Sequence, residues 1–198
     1  MTSPSSISDT DLLRTQLQVL AVAGETAYFF AAFTVGLITY SLWYEIPPHY
    51  LLPWAGALIV VTIVRCLHFR TLSLRHSDAA LSTFRLRFSV GTLCSALGWG
   101  GLGIFIFLIE NQLKQALIAV VALGITASSI IVLSSLVNLA RTAAIISLAP
   151  VVGALIILGG EFLTLSFLMV ACCAFLNYLV TSINSSTTNS YLAQVENK

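Results

Sequence analysis

"GWGGLG", residues 98–103, sets Gly98, Gly100 and Gly103 on the three glycines of the dinucleotide-binding pattern G-x-G-x-x-G. The fold turns on how these six residues are read. Cradling a phosphate requires a strand before the glycines, a helix opening from them and an acidic residue about 20 positions further on. Neither flank supplies that setting, because "RFSVGTLCSAL" (87–97) precedes the stretch and "IFIFLIE" (104–110) follows it. The glycines therefore lie within about 22 mostly uncharged residues, enough for a helix to cross a bilayer. Helices in lipid associate by close packing, so small residues gather on the contact face. Gly91, Ser95, Gly98 and Gly101 recur along one side of such a helix, and Gly124 and Ser128 repeat the four-residue spacing in the next apolar segment. The spacing predicts helix packing and not nucleotide binding.

Composition agrees at larger scale. Charged residues make up 9% of the 198-residue chain and apolar residues 58%, against about 25% and about 45–50% in ordinary soluble domains. A net charge of +1 leaves no electrostatic footprint for nucleic acid. Cys66, Cys94, Cys172 and Cys173 sit in apolar stretches without metal or redox spacing, and read as small buried residues. "MTSPSSISDTD" at the start has neither a basic run nor an early apolar core, so no cleavable signal peptide is expected and the first span directs insertion.

Working outward, six apolar segments follow one another at about 23–44, 51–69, 88–109, 115–137, 142–160 and 162–183, each near the roughly 20 residues a membrane helix needs. The expected fold is all-α: a polytopic bundle of six transmembrane helices over residues 23–183. Very short links, "EIPPHY" (45–50) and "GGE" (159–161), make hairpins of spans one and two and of spans five and six. Ahead of span one, within a cytoplasmic segment 1–22, "SDTDLLRTQLQVL" (8–20) offers Ser8 or Asp9 as N-cap. Leu12, Leu13, Leu17 and Leu20 follow among polar residues, which predicts an amphipathic helix lying at the membrane surface. "RTLSLRHSDAALSTFRLR" (70–87) is the one sizeable loop, and residues 184–198 form a cytoplasmic polar tail or the start of a connecting helix.

Of the 9 Lys and Arg residues, Arg14, Arg65, Arg70, Arg75, Arg85, Arg87, Arg141 and Lys198 fall on one side if both termini are cytoplasmic, leaving Lys114 alone outside. Cytoplasmic enrichment in Lys and Arg sets orientation. The outer links carry Glu45, Glu110 and Glu161, with Trp43, Tyr44, Tyr50 and Trp54 as an aromatic boundary.

Within the spans Glu25 and Arg65 are the ionisable residues, and an intramembrane charge is a functional hypothesis by default. At 1.5 Å per residue, Glu25 lies roughly 28 Å and Arg65 roughly 21 Å from the outer boundary. Both fall toward the cytoplasmic side. Three readings stay open: snorkelling of the long Arg side chain, an intramembrane Glu25–Arg65 pair, and a role in signalling. Pro150 removes one ladder bond from span five and frees the carbonyl of Ile146, and with Gly153 it marks a hinge or simply shapes the bundle.

Catalytic constellations are not present in the sequence. His49, His68 and His76 lie in or beside loops on different sides, there is no H-E-x-x-H, and no serine has a histidine in its own membrane layer. No chain of midplane carboxylates marks an ion-coupled carrier. Neither an enzyme nor a cofactor or metal site is expected.

The succession "LLRTQLQVL" (12–20), "SLWYEIPPHYLLPWAGALI" (41–59) with Arg65 after it, "RFSVGTLCSALGWGGLGIFIF" (87–107), "QALIAVVALGITASS" (115–129) and "ISLAPVV" (146–152) resembles the polytopic N-terminal sensory region that precedes diguanylate cyclase or histidine kinase modules in many bacterial signalling proteins. The similarity covers roughly residues 12–184. It implies a multi-pass protein of the bacterial inner membrane that perceives a membrane-proximal or lipophilic signal and passes it to a cytoplasmic output. The implied partners are the lipid bilayer and either a second copy in a homodimer or a membrane or cytoplasmic signalling protein. The chain departs from that pattern in stopping at Lys198 without a catalytic module. Two expectations stand side by side: a piece of a sensor, or a non-catalytic membrane subunit that anchors or stabilises a larger complex.

Overall fold

A computed structural model describes residues 27–72, 78–134 and 136–196, and no strand occurs among them. The helices are α1 (Ala27–Leu42), α2 (Pro48–Leu72), α3 (Asp78–Gly100), α4 (Leu102–Ile106), α5 (Gln112–Val132), α6 (Val137–Leu158) and α7 (Phe162–Glu196). Five stretches are long and apolar enough to cross a membrane: Pro48–His68, Thr83–Ile106, Gln112–Val132, Val137–Leu158 and Phe162–Ser182. Over its described length α1 is apolar but shorter. The segment read as an amphipathic surface helix, Glu25 and residues 73–77 lie outside the described residues.

Helix α6 is the hub, packing against α3, α4, α5 and α7, while α2 leans on α3 and α7 also touches α5. Helix α1 buries Val35, Ile38 and Leu42, spaced three and four apart, in the same core as Leu51, Ala55 and Leu58 of α2. Outward faces carry Leu37, Val60, Ile63, Ile104, Leu117, Ile157 and Phe167 in the open. Apolar exposure on that scale does not occur on a monomer surrounded by water, and it matches hydrocarbon.

The turns follow from local chemistry. Pro48 opens α2, where a missing N–H costs nothing, and the Pro47 carbonyl accepts from the N–H groups of Tyr50 and Leu51 at 3.0 and 3.3 Å. Asn111 caps α5, its side-chain oxygen accepting from Leu113 N and Lys114 N at 3.0 and 3.4 Å. One turn into α5, the buried Gln115 amide donates to the carbonyls of Ile106 and Ile109 at 3.0 and 2.7 Å, serving the end of α4. Gly159 and Gly160 adopt φ of 69° and 56°, the left-handed conformations that let α6 reverse into α7 within three residues.

Two boundaries differ from the sequence reading. The basic segment 70–87 is largely helical, because α2 runs to Leu72 and α3 begins at Asp78. Charge keeps such a segment out of hydrocarbon without breaking a helix, and Ala79, Ala80 and Leu81 are strong helix formers. Helix α5, which matches the fourth apolar segment, ends at Val132, with Ser134 in the turn that follows, several residues before the apolar run is exhausted. The last helix passes the membrane stretch at Ser182 and continues to Glu196, so of the two readings of the closing segment, polar tail or connecting helix, residues 184–196 take the helical one.

Candidate functional site: a cavity inside the bundle at Arg65

Arg65 lies near the end of α2, and its side chain turns into the bundle. Its stem passes over α3 where Gly91 removes a side chain: a Cβ at position 91 would stand 3.0 Å from Arg65 Cγ and 3.4 Å from Cδ. A methyl group there would crowd the stem and oblige it to shift by a few tenths of an ångström. Beyond it, Nη2 donates to Thr92 Oγ1 at 3.0 Å, and Thr92 donates its own proton to the Phe88 carbonyl at 2.9 Å. The guanidinium carbon is 5.1 Å from the Tyr28 ring centroid and 5.5 Å from that of Phe88, a cation held between two aromatic faces. Nε is buried with no hydrogen-bond partner among the described residues.

Arg65, Tyr28, Phe88 and Thr92 form one wall of a cavity of about 350 Å³ lined by α1, α2, α3, α5 and α6 and partly open to the surface. Ala96, Trp99, Ile125, Val132, Leu133 and Ala143 make the lining mainly apolar, and Ser95, Ser128, Ser129 and Ser147 add hydroxyls. The Ser128 hydroxyl lies 3.0 and 2.9 Å from the carbonyls of Gly124 and Ile125, so it bonds back to its own helix. Ser147 instead meets Thr126 of α5 at 2.9 Å, clasping α5 to α6 beside the cavity. A smaller space of about 180 Å³ lies on the other side of Arg65, against His68, Phe84, Arg87 and Gly91.

The glycines of residues 98–103 meet three different neighbours. A Cβ at Gly98 would fall 2.6 Å from Leu58 Cδ2, and one at Gly101 would fall 3.5 Å from the Trp54 ring. Trp54 Nε1–H donates to the Gly98 carbonyl at 2.7 Å, tying α2 to the end of α3. Gly100 and Gly103 meet backbone: Cβ atoms there would stand 2.6 Å from the Ile146 oxygen and 2.6 Å from the Pro150 carbonyl. Pro150 lies inside a helix that continues through it, and the carbonyl it deprives of a partner, that of Ile146, is the one Gly100 approaches.

Of the residues singled out in the sequence, the cavity brings together Arg65, Ser95 and Ser128, with Gly91 against the stem of Arg65. A Cβ at Gly124 or Gly153 would meet nothing within 4 Å. Cys94 is exposed, contrary to its reading as a buried residue, while Cys66, Cys172 and Cys173 are half-buried. In an apolar surround the outward face of a helix accepts a thiol as readily as the core does. Tyr28, Phe88, Thr92, Trp99 and Ser147 were not legible as site residues, since aromatic and hydroxyl side chains are common in membrane helices. Matching the depth of Arg65 against residues one turn apart on α3 is the signal that would have found Phe88 and Thr92.

No family model, curated protein or solved structure matches this chain.

Proposed function

We propose that this chain is a membrane-embedded sensory module of a bacterial inner membrane, with six spans and both termini cytoplasmic. Its cavity receives a lipophilic signal, and its last helix carries the response to a cytoplasmic output domain or partner. The observation that carries this reading is the cavity of about 350 Å³ inside the bundle, apolar over most of its wall and holding one cation at Arg65. A few polar groups in an apolar concavity are the ordinary make-up of a small-molecule site. A sensor also needs a conduit. Helices α5 and α6 line the cavity and pack against α7, and Arg141 of α6 donates to Thr181 of α7 at 2.9 Å. From there α7 runs unbroken for the 14 residues after Ser182, to Glu196, about 21 Å of helix beyond the membrane stretch.

The test joins a diguanylate cyclase module after Lys198 and inserts one to four residues between Asn184 and Tyr191. Transmission through a continuous helix predicts output that varies with the ~100° rotation each inserted residue adds. A flat response across all four insertions would instead favour a non-catalytic subunit that anchors or stabilises a complex.

A further inference from the structure

We propose that the occupant of the cavity is a single-chain amphiphile with an anionic head, a lipophilic carboxylate, its head on Arg65 and its chain lying toward Trp99 and Ile125. The inference rests on the sensory reading of the same cavity and names the class of ligand.

Charge is the first argument. A guanidinium in a low-dielectric interior requires a counter-charge or an equivalent set of acceptors. Among the described residues the ion pair is Lys114 with Glu45, at the far end of the bundle, and Arg65 belongs to none. Its neighbours orient the cation without neutralising it. Two aromatic rings sandwich it, Thr92 and the Tyr28 hydroxyl accept from its N–H groups, and Nε–H has no acceptor among the described residues. A planar carboxylate fits the guanidinium fork and supplies a counter-charge that the described residues do not.

Size is the second. At ~30 Å³ per water-sized group, the space of about 350 Å³ accommodates roughly a dozen heavy atoms. That is a carboxylate and about ten chain carbons, the length of one chain. The apolar wall on the α5 and α6 side suits the chain, and Ser95 and Ser129 are the hydroxyls available near it.

Trp99 in the wall makes the experiment direct. The whole protein in phosphatidylcholine nanodiscs is titrated with 11-bromoundecanoate and with its uncharged counterpart 11-bromoundecanol, reading tryptophan quenching. The expected result is saturable quenching by the acid at concentrations about tenfold lower than by the alcohol, the fold-change that a charge-assisted hydrogen bond supports. Arg65→Gln should bring the two probes together, Arg65→Lys should keep part of the preference, and Ala143→Phe, which fills the cavity, should abolish saturation by both. Equal binding of acid and alcohol overturns the proposal without any variant having to fold, and so does a preference that survives Arg65→Gln. Much tighter acid binding in Glu25→Gln would show that the chain supplies its own anion, which also overturns it. Displacement of the acid by phosphatidylglycerol added to the disc would assign the site to a phospholipid phosphate and overturn the single-chain assignment. Loss of acid selectivity leaves the sensory reading standing, whereas selective binding with a cyclase fusion that never responds removes the sensory reading and leaves the site.

Discussion

Gly100 and Gly124 are indistinguishable as letters and differ in what stands against them. The backbone of α6 occupies the space a Cβ would need at Gly100 and Gly103, and nothing lies within 4 Å of one at Gly124 or Gly153. Gly100→Ala and Gly103→Ala should therefore lower stability by about 1–3 kcal/mol through overpacking, because backbone yields less than a side chain. Gly98→Ala should cost less, since Leu58 Cδ2 is the end of a flexible side chain. Gly124→Ala and Gly153→Ala should be neutral or stabilising by up to about 1 kcal/mol, the ordinary gain of alanine over glycine in a helix. Thermal unfolding in detergent measures all five, and equal losses at positions 100 and 124 would contradict the packing. The sequence revealed that small residues line a helix face, but the identity of the facing atoms depends on the crossing of two helices, which no local pattern encodes. Arg65 shows the same limit: its depth follows from counting residues, while the room its stem finds beside Gly91, 26 positions away in sequence, is visible only in the fold.

Among elements, the membrane stretches were the most legible feature and their ends the least. An apolar run of about 20 residues identifies a span by length alone. Its end is marked only when the turn carries Gly, Pro or a capping residue, as at Pro47–Pro48, Asn111 and Gly159–Gly160. The link between α5 and α6 misleads the other way: "LSSL" (133–136) offers serines as caps, yet Leu136 stands at the start of α6 and no side chain caps it. What holds those two helices beside the cavity is the Thr126–Ser147 hydrogen bond at 2.9 Å, with both side chains buried. Hydrogen bonds between membrane helices contribute about 0.6 kcal/mol on average and up to about 1.7 kcal/mol. A double-mutant cycle with Thr126→Val and Ser147→Ala, read by unfolding in detergent, should give a coupling within that range. Strict additivity would mean that the two hydroxyls are satisfied by their own carbonyls alone, those of Ala122 and Ala144 at 2.8 and 3.2 Å.

For the molecule as a whole, the charge pattern and the packing make independent statements about which ends belong together. The sequence separates eight basic residues from Lys114 by counting spans. The fold brings the link after α1 and the start of α5 to one end, where Lys114 Nζ reaches Glu45 Oε1 at 2.7 Å. At the other end Cys66, Phe84, Leu133 and Ala140 share one cluster, so the end of α2, the beginning of α3, the end of α5 and the beginning of α6 converge. Arg65, Arg85, Arg87 and Arg141 lie on those converging segments. Packing fixes the pairing of ends but not which end faces the cytoplasm, because an isolated bundle carries no membrane potential and no translocation history. The proposed orientation takes its direction from the basic asymmetry. With the native cysteines replaced, a single cysteine at Asn111 should react with an impermeant thiol reagent added to intact cells, and one at Asp78 should react only after the membrane is opened. The reverse pattern would invert the bundle, place Arg65 and its cavity toward the outer leaflet, and require any signal leaving through α7 to be read outside the cell.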